Sequence, residues 1–537
     1  MTQPVVTRPV VTQPTEINIR RDQRHSIDPM IYGHFLESAF FGNIQGGVFD
    51  EGSPLAYGGD DVRSGLRTDV IKLCQELGLP VVRWPGGNFT SAYHWEDGIG
   101  PRAARPRRLE LAWGSEEDNR FGTDEFLTWC AEVGTEPYLA HSCRDVDEAV
   151  RWVEYTNYSG DTEYTRKRGR EPYGVKYWGL GNEVYGDWQM GHRTAEAYAA
   201  DAAEHARFMR AVDPGLKLVA VGNPDQQWTR IVLDAIGNQI DYLSFHLYGA
   251  TTQLVDGAAE YDEIVAQSLY FEQQIVEYSD LVADVARRPI GLALDEWNIR
   301  HVEPASWPVP RPSDDGGIVA REVDGLPTYP ADRVNRWSPR TLADALFYAG
   351  VFHALHRAAG REIPVTMANT VNLLNANGVI VARPGGVVRA ATYHVWDLYQ
   401  NHLGPIAVAA DVRSPGRFAA VRQGDERDRR GDFRSRPATV PDLDVSATTD
   451  GRALQLAVIN RHRDTAIRAD LTLDGRRDTL PARATVKQLT ADDVLASNTL
   501  SNPDAVVLRD LGVLELPEPT YEFPPHSITL LSFALSG

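Results

Sequence analysis

The chain has 537 residues, of which 42% are hydrophobic and 9% aromatic, and its formal net charge is −20. Two domains are expected at this length, because single hydrophobic cores rarely grow beyond about 250–300 residues. A nucleic-acid partner is not expected, because an acidic chain without a basic stripe cannot neutralise phosphates.

Neither the amino terminus nor the cysteines point to secretion, a membrane or a metal. Residues 1–14 are studded with proline and contain no apolar core, so we expect a flexible leader and, by default, a cytoplasmic protein. No apolar run approaches the length of a membrane span. Cys74, Cys130 and Cys143 are odd in number and lack CxxC spacing, which favours free thiols and predicts no metal site.

Residues 28–402 alternate between short apolar runs and helix-patterned segments. The predicted strands are Met30–Leu36, Pro80–Trp84, Pro137–His141, Val175–Leu180, Lys217–Val221, Tyr242–Leu247, Ile290–Asp295 and Pro364–Met367. The predicted helices are Asp61–Leu77, Thr123–Val133, Val146–Thr156, Thr194–Val212, Gln227–Ile236, Tyr261–Ala286, Arg340–Ala359 and Gly386–Tyr399. Eight strand–helix repeats predict an α/β fold, a (β/α)8 TIM barrel.

In such a barrel the residues that follow each strand share one rim. Hydrogen-bonding and aromatic side chains at these positions are typical of a polyol-binding site. They are Glu37, Arg83, Asn88, Asn182, Glu183, His246, Tyr248, Glu296 and Asn369. Trp95 and Trp297 are candidate platforms for a sugar ring, whereas Trp84 and Trp178 are expected to pack in the barrel. No glycine-rich phosphate loop follows a strand, so no cofactor is expected.

Two glutamates, Glu183 and Glu296, each follow or end an apolar strand. A glycosidase uses such a pair, one carboxyl as proton donor and the other as an ionised nucleophile. The alternative for each glutamate is a pairing with arginine at a strand end. Two further alternatives also stay open: Arg83 could be a purely structural ion-pair partner, and His246 could be a histidine of the core. Asp295 is expected to point away from Glu296, because side chains alternate along a strand.

Residues 403–537 differ in pattern from the barrel, because short alternating segments separated by turns replace the helices. They predict a C-terminal antiparallel β-sandwich, jelly-roll-like, with strands that include Ala453–Ile459, Ala466–Leu473 and Ser527–Phe533. The segment 15–27 begins with a predicted strand that we expect to join this sandwich. Residues 422–434 carry both charge signs and are expected to form a solvated loop.

Five motifs of the predicted barrel together resemble glycoside hydrolase family 51, the α-L-arabinofuranosidases. They are Tyr32-Gly-His-Phe-Leu-Glu37, Arg83-Trp-Pro-Gly-Gly-Asn88, Trp95-Glu-Asp-Gly-Ile-Gly-Pro101, Gly181-Asn-Glu183 and Asp295-Glu-Trp-Asn298. The resemblance implies a retaining, exo-acting hydrolase of arabinose-containing oligosaccharides, active at their non-reducing ends. It also implies a homo-oligomer, a hexamer in many members.

The resemblance also assigns roles to residues. Glu183 matches the acid/base and Glu296 the nucleophile. Tyr248 is expected to hydrogen-bond Glu296, with His246 beside it. The residues that match positions holding the furanose or supporting the carboxylates are Glu37, Arg83, Asn88 and Asn182.

Two features depart from the family pattern. Asn369 occupies a position where the family usually has a sugar-contacting glutamine, and the loop Arg300–Asn335 is unusually proline-rich. The shorter amide leaves room for a water-mediated contact or a wider pocket. Three alternatives therefore remain: a β-D-galactofuranosidase, a β-xylosidase or endoglucanase on the same fold, and a carbohydrate-binding protein without catalysis.

Overall fold

The computed structural model of the chain describes residues 15–38, 42–249, 257–302, 334–335, 338–423 and 434–535. The predicted leader, most of the proline-rich loop and most of residues 422–434 lie outside these ranges. In the described part of the chain, no helix combines the length and the apolarity needed to cross a membrane.

Eight parallel strands close into a barrel, which confirms the predicted fold. In chain order they are Gly33–Phe35, Val81–Trp84, Glu136–His141, Tyr177–Leu180, Lys217–Val221, Tyr242–Gly249, Gly291–Ile299 and Val365–Thr370. Each overlaps one predicted strand. They are numbered below as barrel strands one to eight.

Helices surround the barrel, and most of them agree with the predicted segments. They are Thr68–Leu77, Thr123–Val133, Val146–Asn157, Glu163–Arg168, Ala195–Val212, Gln226–Ile236, Ala258–Val285, Leu342–Ala358 and Tyr393–His402, with short 3-10 turns at Pro29–Tyr32, Asn88–Ala92, Trp95–Gly98 and Arg102–Ala104. Two helices begin later than predicted. Gly65, with φ +88°, and a bridge from Leu66 to Phe49 precede the first helix. The β-branched segment Gly386–Arg389 pairs with Ile380–Arg383 before the last helix.

The C-terminal domain is a mostly antiparallel sheet of nine strands. Eight follow the barrel: Ile406–Arg413, Leu443–Thr449, Ala453–Asn460, Ile467–Leu473, Arg483–Thr490, Val507–Glu515, Thr520–Phe523 and Ser527–Ala534. The ninth, Glu16–Ser26, precedes the barrel and lies between Ile406–Arg413, antiparallel, and Ile467–Leu473, parallel. Its Ile17 and Ile19 are fully buried in the core of this sheet. We propose domain limits of 28–402 for the barrel, and of 15–27 with 403–537 for the sheet.

Helix Leu342–Ala358 joins the two domains and is buried on almost every side, as expected for a helix that is apolar all round. His356 links Tyr32 of the barrel to Ser446 of the sheet, at 2.7 Å to each hydroxyl. Nearby, Asp444 of the sheet pairs with Arg357 at 2.9 Å and with Arg461 at 2.5 Å. The barrel is thus fixed to its neighbour through buried polar contacts as well as apolar packing.

Smaller hairpins extend from this framework. Strands Gly416–Gln423 and Arg434–Pro441 form one hairpin, and His301–Val302 pairs with Val334–Asn335. A third hairpin, Arg108–Glu110 with Ser115–Glu117, belongs to the long connection between barrel strands two and three. This third hairpin contributes to the site described next.

Candidate active site

Glu183 and Glu296 meet at the carboxyl ends of barrel strands four and seven. One carboxylate oxygen of Glu183, one of Glu296 and a ring nitrogen of His246 lie within 4.8 Å of one another. Both glutamates are almost fully buried, with exposed fractions of 1% and 4%. The structure thus brings together the two glutamates singled out in the sequence, although they lie 113 residues apart in the chain.

Glu183 leaves its strand in an unusual conformation. Its φ is +45°, in the left-handed region that non-glycine residues seldom adopt, and Gly181 before it has φ +97°. Such strain is found at functional sites where the surroundings hold it in place. The backbone N–H of Gly186 donates to the Glu183 carbonyl at 2.8 Å, and the indole N–H of Trp188 lies 3.3 Å from Oε2. The tight loop thus presents this carboxylate to its partner.

Glu296 is held by two donors on its two oxygens. Arg83 donates to Oε1 at 2.8 Å, and the Tyr248 hydroxyl donates to Oε2 at 2.7 Å. Gly87 closes the space behind Oε1, because a Cβ at this glycine would lie 2.6 Å from that oxygen. A carboxylate with a cation on one oxygen and a hydroxyl on the other is fixed in position and compensated in charge.

Asp295 points into the site, which corrects the expected alternation. Barrel strand seven has two residues between Ala293 and Glu296 where strand six has one between Ser244 and His246. This bulge breaks the period of two, so neighbouring side chains share one side of the strand. The side chains of both Asp295 and Glu296 consequently reach the same group of polar residues.

The role of Asp295 is to support that group. It accepts hydrogen bonds from Tyr138 at 2.8 Å and Ser244 at 2.5 Å, and its Oδ2 lies 3.6 Å from Arg83 Nε. Burial alone would raise the pKa of Asp295, but the charges of Arg83 and His246 lower it to about 2. Asp295 is therefore an ionised anchor beneath the reacting pair.

His246 lies between the carboxylates as a cation. Its Nδ1 is 2.8 Å from Glu183 and 3.5 Å from Glu296, and its Nε2 is 3.3 Å from Asp295. Burial opposes protonation, but these carboxylates overcome it and raise the pKa of His246 to about 10. Three acids thus face two cations, His246 and Arg83, which makes their close approach possible.

The remaining predicted polar residues border the same site. The second terminal nitrogen of Arg83, Nη2, donates a hydrogen bond to Asn182 Oδ1 at 2.7 Å. Glu37 Oε1 accepts from the backbone of Gly87 at 3.2 Å and of Phe89 at 3.1 Å. Asn88 accepts a hydrogen bond from Gln189, a residue that the sequence did not single out.

Trp95 and Trp297 are core residues and not sugar platforms. Trp95 is 1% exposed and stacks on Trp152, and Trp297 is fully buried and stacks on Trp396, each pair with ring centroids 5.9 Å apart. Aromatic rings from neighbouring helices enclose both, so neither offers a free face.

Two other tryptophans, missed in the sequence, contact the polar site instead. Trp188 lies against Glu183, and Trp113 donates to Glu37 Oε1 at 3.2 Å from the hairpin Arg108–Glu110/Ser115–Glu117. Trp188 follows Glu183 by five residues and could have been suspected on that ground. Nothing local indicates the position of Trp113.

Asn369 lies fully buried in barrel strand eight. Its amide nitrogen donates to the His34 carbonyl at 2.8 Å, and its Oδ1 has no hydrogen-bond partner among the described residues. A contact between this residue and a sugar stays a prediction.

The donor set of this centre suits proton transfer better than metal binding. The possible ligands are Glu183, His246 and Glu296. His246 is held protonated, and both oxygens of Glu296 already accept hydrogen bonds from Arg83 and Tyr248. Two buried, close carboxylates at the C-terminal end of a (β/α)8 barrel define the site of a glycoside hydrolase.

Comparison with known proteins identifies the family. The model for the alpha-L-arabinofuranosidase 1 domain matches residues 73–265, and that for the alpha-L-arabinofuranosidase C-terminal domain matches residues 295–527. The chain is 34% identical to alpha-L-arabinofuranosidase C of Emericella nidulans, with 96% of both chains covered. It is 32% identical to the intracellular exo-alpha-(1->5)-L-arabinofuranosidase of Streptomyces lividans, over 90% of this chain and 69% of that one.

A solved structure gives the same result. The GH51 alpha-L-arabinofuranosidase of Thermotoga petrophila is 35% identical, with a TM-score of 0.81 over 96% of this chain and 99% of that one. The chain belongs to glycoside hydrolase family 51, the α-L-arabinofuranosidases.

Proposed function

We propose that this protein is a retaining exo-α-L-arabinofuranosidase that removes terminal residues from arabino-oligosaccharides by double displacement. The observation that carries the proposal is the proximity of Glu183 and Glu296, since one carboxylate oxygen of each lies within 4.8 Å of the other. Retaining glycosidases hold their carboxyl groups about 5–5.5 Å apart, whereas inverting enzymes leave about 6.5–9.5 Å for a water molecule. The short distance favours direct attack by a carboxylate.

In the first step a Glu296 oxygen attacks the anomeric carbon. The bond from that carbon to the leaving oxygen breaks, and the proton of Glu183 passes to the leaving oxygen. Arg83 and Tyr248 orient the nucleophile, and Trp188 and His246 orient the acid. An arabinosyl ester of Glu296 and an ionised Glu183 result.

In the second step Glu183 removes a proton from water, and the water oxygen attacks the anomeric carbon. The ester bond breaks and Glu296 regains its negative charge. Tyr248 and Arg83 are already placed to receive that charge, so no reorganisation is needed when it returns. Two inversions at one carbon give a product with retained configuration.

The substrate and setting are proposed from the relatives. The Streptomyces lividans relative is named an intracellular exo-α-(1→5)-L-arabinofuranosidase, which supports short arabino-oligosaccharides as substrates and a cytoplasmic location. Cys74, Cys130 and Cys143 are free and buried, as expected for a reducing compartment. By resemblance to the family we also propose a homo-oligomer, with a hexamer as the expected assembly.

A panel of p-nitrophenyl glycosides tests the activity and the sugar together. It contains α-L-arabinofuranoside, β-D-galactofuranoside, β-D-xyloside and β-D-glucoside. We expect turnover of the arabinofuranoside, and proton NMR early in the reaction should show the product anomer that retains configuration. Preference for another glycoside would reject the proposed sugar, and initial formation of the inverted anomer would reject the mechanism.

Variants of the two glutamates separate their roles. Glu296→Ala should lose turnover of every substrate, because no nucleophile remains. Glu183→Ala should lose far more on arabinobiose than on the nitrophenyl glycoside, whose leaving group needs less protonation. Glu136→Ala is the matched control, since this partly exposed glutamate lies at the opposite end of barrel strand three and pairs with Lys176 at 3.4 Å. Equal losses in all three variants would contradict the assignment.

A further inference from the structure

A cavity lies between the hairpin Arg108–Glu110/Ser115–Glu117 and the segment that follows Glu183, where Met190 lines it. Its volume is about 320 Å³, at the lower end of the roughly 300–1,000 Å³ typical of small-molecule sites. Phe89 and Met190 are among the residues that line it. None of the steps described above uses this cavity.

Two segments that line the cavity also contact the polar site described above. Met190 follows Gln189, whose amide nitrogen lies 3.5 Å from Glu183 Oε2 and also bonds Asn88. The other segment is the hairpin that lines the cavity and carries Trp113, the residue that donates to Glu37. The Gln189–Met190 segment thus connects the cavity to Glu183, and the leaving group departs on the side of the acid/base.

The cavity combines exposed apolar side chains with polar groups. Leu109 is 67% exposed, Leu111 53% and Met190 40%, although large apolar side chains on a surface usually lie singly. Arg108 and His94, which also line the cavity, keep more than half of their side-chain surface exposed. Such a surface suits a sugar chain, whose C–H faces pack on apolar side chains while its hydroxyls bind polar ones.

We propose that this cavity is a distal leaving-group subsite, which binds arabinose residues beyond the one joined to the scissile oxygen. The inference rests on the proposed function and extends it to substrate length. Longer α-(1→5)-linked oligosaccharides should then be better substrates than arabinobiose, because only chains of three or more residues reach the cavity.

The test compares chain lengths in two variants. The kcat/KM is measured with p-nitrophenyl α-L-arabinofuranoside and with α-(1→5)-linked arabinobiose, arabinotriose and arabinopentaose. In wild type the value should rise with length. In a Leu109→Ser/Leu111→Ser double variant the rise should be lost, with a decrease of about tenfold on arabinopentaose, the size expected for losing apolar contact of a few methylene groups.

The same double variant should hydrolyse the nitrophenyl glycoside within about twofold of wild type, because exposed side chains contribute little to folding. Leu511→Ser is the matched control, since Leu511 is 42% exposed on the C-terminal sheet. It should retain the wild-type dependence on length.

Each outcome decides a different point. Wild type that hydrolyses the nitrophenyl glycoside but shows no rise with length overturns the subsite and leaves the proposed function intact. A rise that persists in the double variant overturns the assignment to this cavity. Absence of turnover on every arabinofuranoside overturns the proposed function, and the inference falls with it.

Discussion

The Tyr248 hydroxyl is expected to act mainly in the second chemical step. It donates to Glu296 Oε2 at 2.7 Å, and that oxygen is charged in the free enzyme and uncharged in the arabinosyl ester. The hydrogen bond therefore strengthens as Glu296 leaves the sugar and regains its charge. Tyr248→Phe removes one atom, while the ring stays packed against Phe35 and Val371, with the Arg300 guanidinium 3.7 Å from its centre.

The expected magnitude follows from the strength of that bond. A hydrogen bond to a charged group contributes about 1.5–3 kcal/mol. Full recovery of this energy in the transition state would correspond to about 10- to 150-fold in rate. We expect a decrease in kcat near tenfold, because the carboxylate has only partly left at that point. Slow hydrolysis of the arabinosyl ester also predicts an initial burst of p-nitrophenol, equal to one molecule per active site.

Stopped-flow absorbance with p-nitrophenyl α-L-arabinofuranoside measures both quantities. Tyr138→Phe is the control, because it removes a hydroxyl that donates at 2.8 Å to Asp295, a carboxylate that does not react. It should show no burst and a kcat within about threefold of wild type. An unchanged kcat in Tyr248→Phe, or a lower kcat without a burst, would refute the assignment to the second step.

Two further predictions concern residues around the site. Gly87→Ala places a Cβ 2.6 Å from Glu296 Oε1 and must displace the nucleophile. The kcat/KM should therefore fall about 100-fold with little change in Tm. A variant with wild-type activity would show that Glu296 can shift without loss of function. Burial raises the pKa of Glu110 from 4.5 to about 7, so its stabilising contribution is complete below pH 4.5 and is lost as pH rises through 7. Urea unfolding should show wild type losing about 3 kcal/mol across that interval relative to Glu110→Gln, and parallel pH profiles would contradict it.

The sequence predicted the barrel well because its strands are short, apolar and regularly followed by helices. It also placed Glu183 and Glu296 together, since both come at the carboxyl ends of parallel strands. The predicted direction of the Asp295 side chain was wrong, because the bulge in barrel strand seven cannot be recognised from the pattern of apolar and polar residues. The positions of Trp95 and Trp113 could not be predicted from the sequence either, because both depend on distant parts of the chain. Burial of the first depends on helices elsewhere in the chain, and the position of the second depends on how a hairpin folds back over the rim.

The strand Glu16–Ser26 has a consequence for the order in which the protein can form. It is made before the barrel, yet its antiparallel partner follows the barrel, with Arg20 opposite Ala409. At the usual 5–20 residues per second of synthesis, about 20–80 s pass before that partner emerges. During this interval Ile17 and Ile19, which are buried in the folded protein, cannot yet pack into the sheet. A chain that ends at residue 402 would leave this strand without its antiparallel partner. A barrel free of the sheet therefore requires truncation at both ends of the chain.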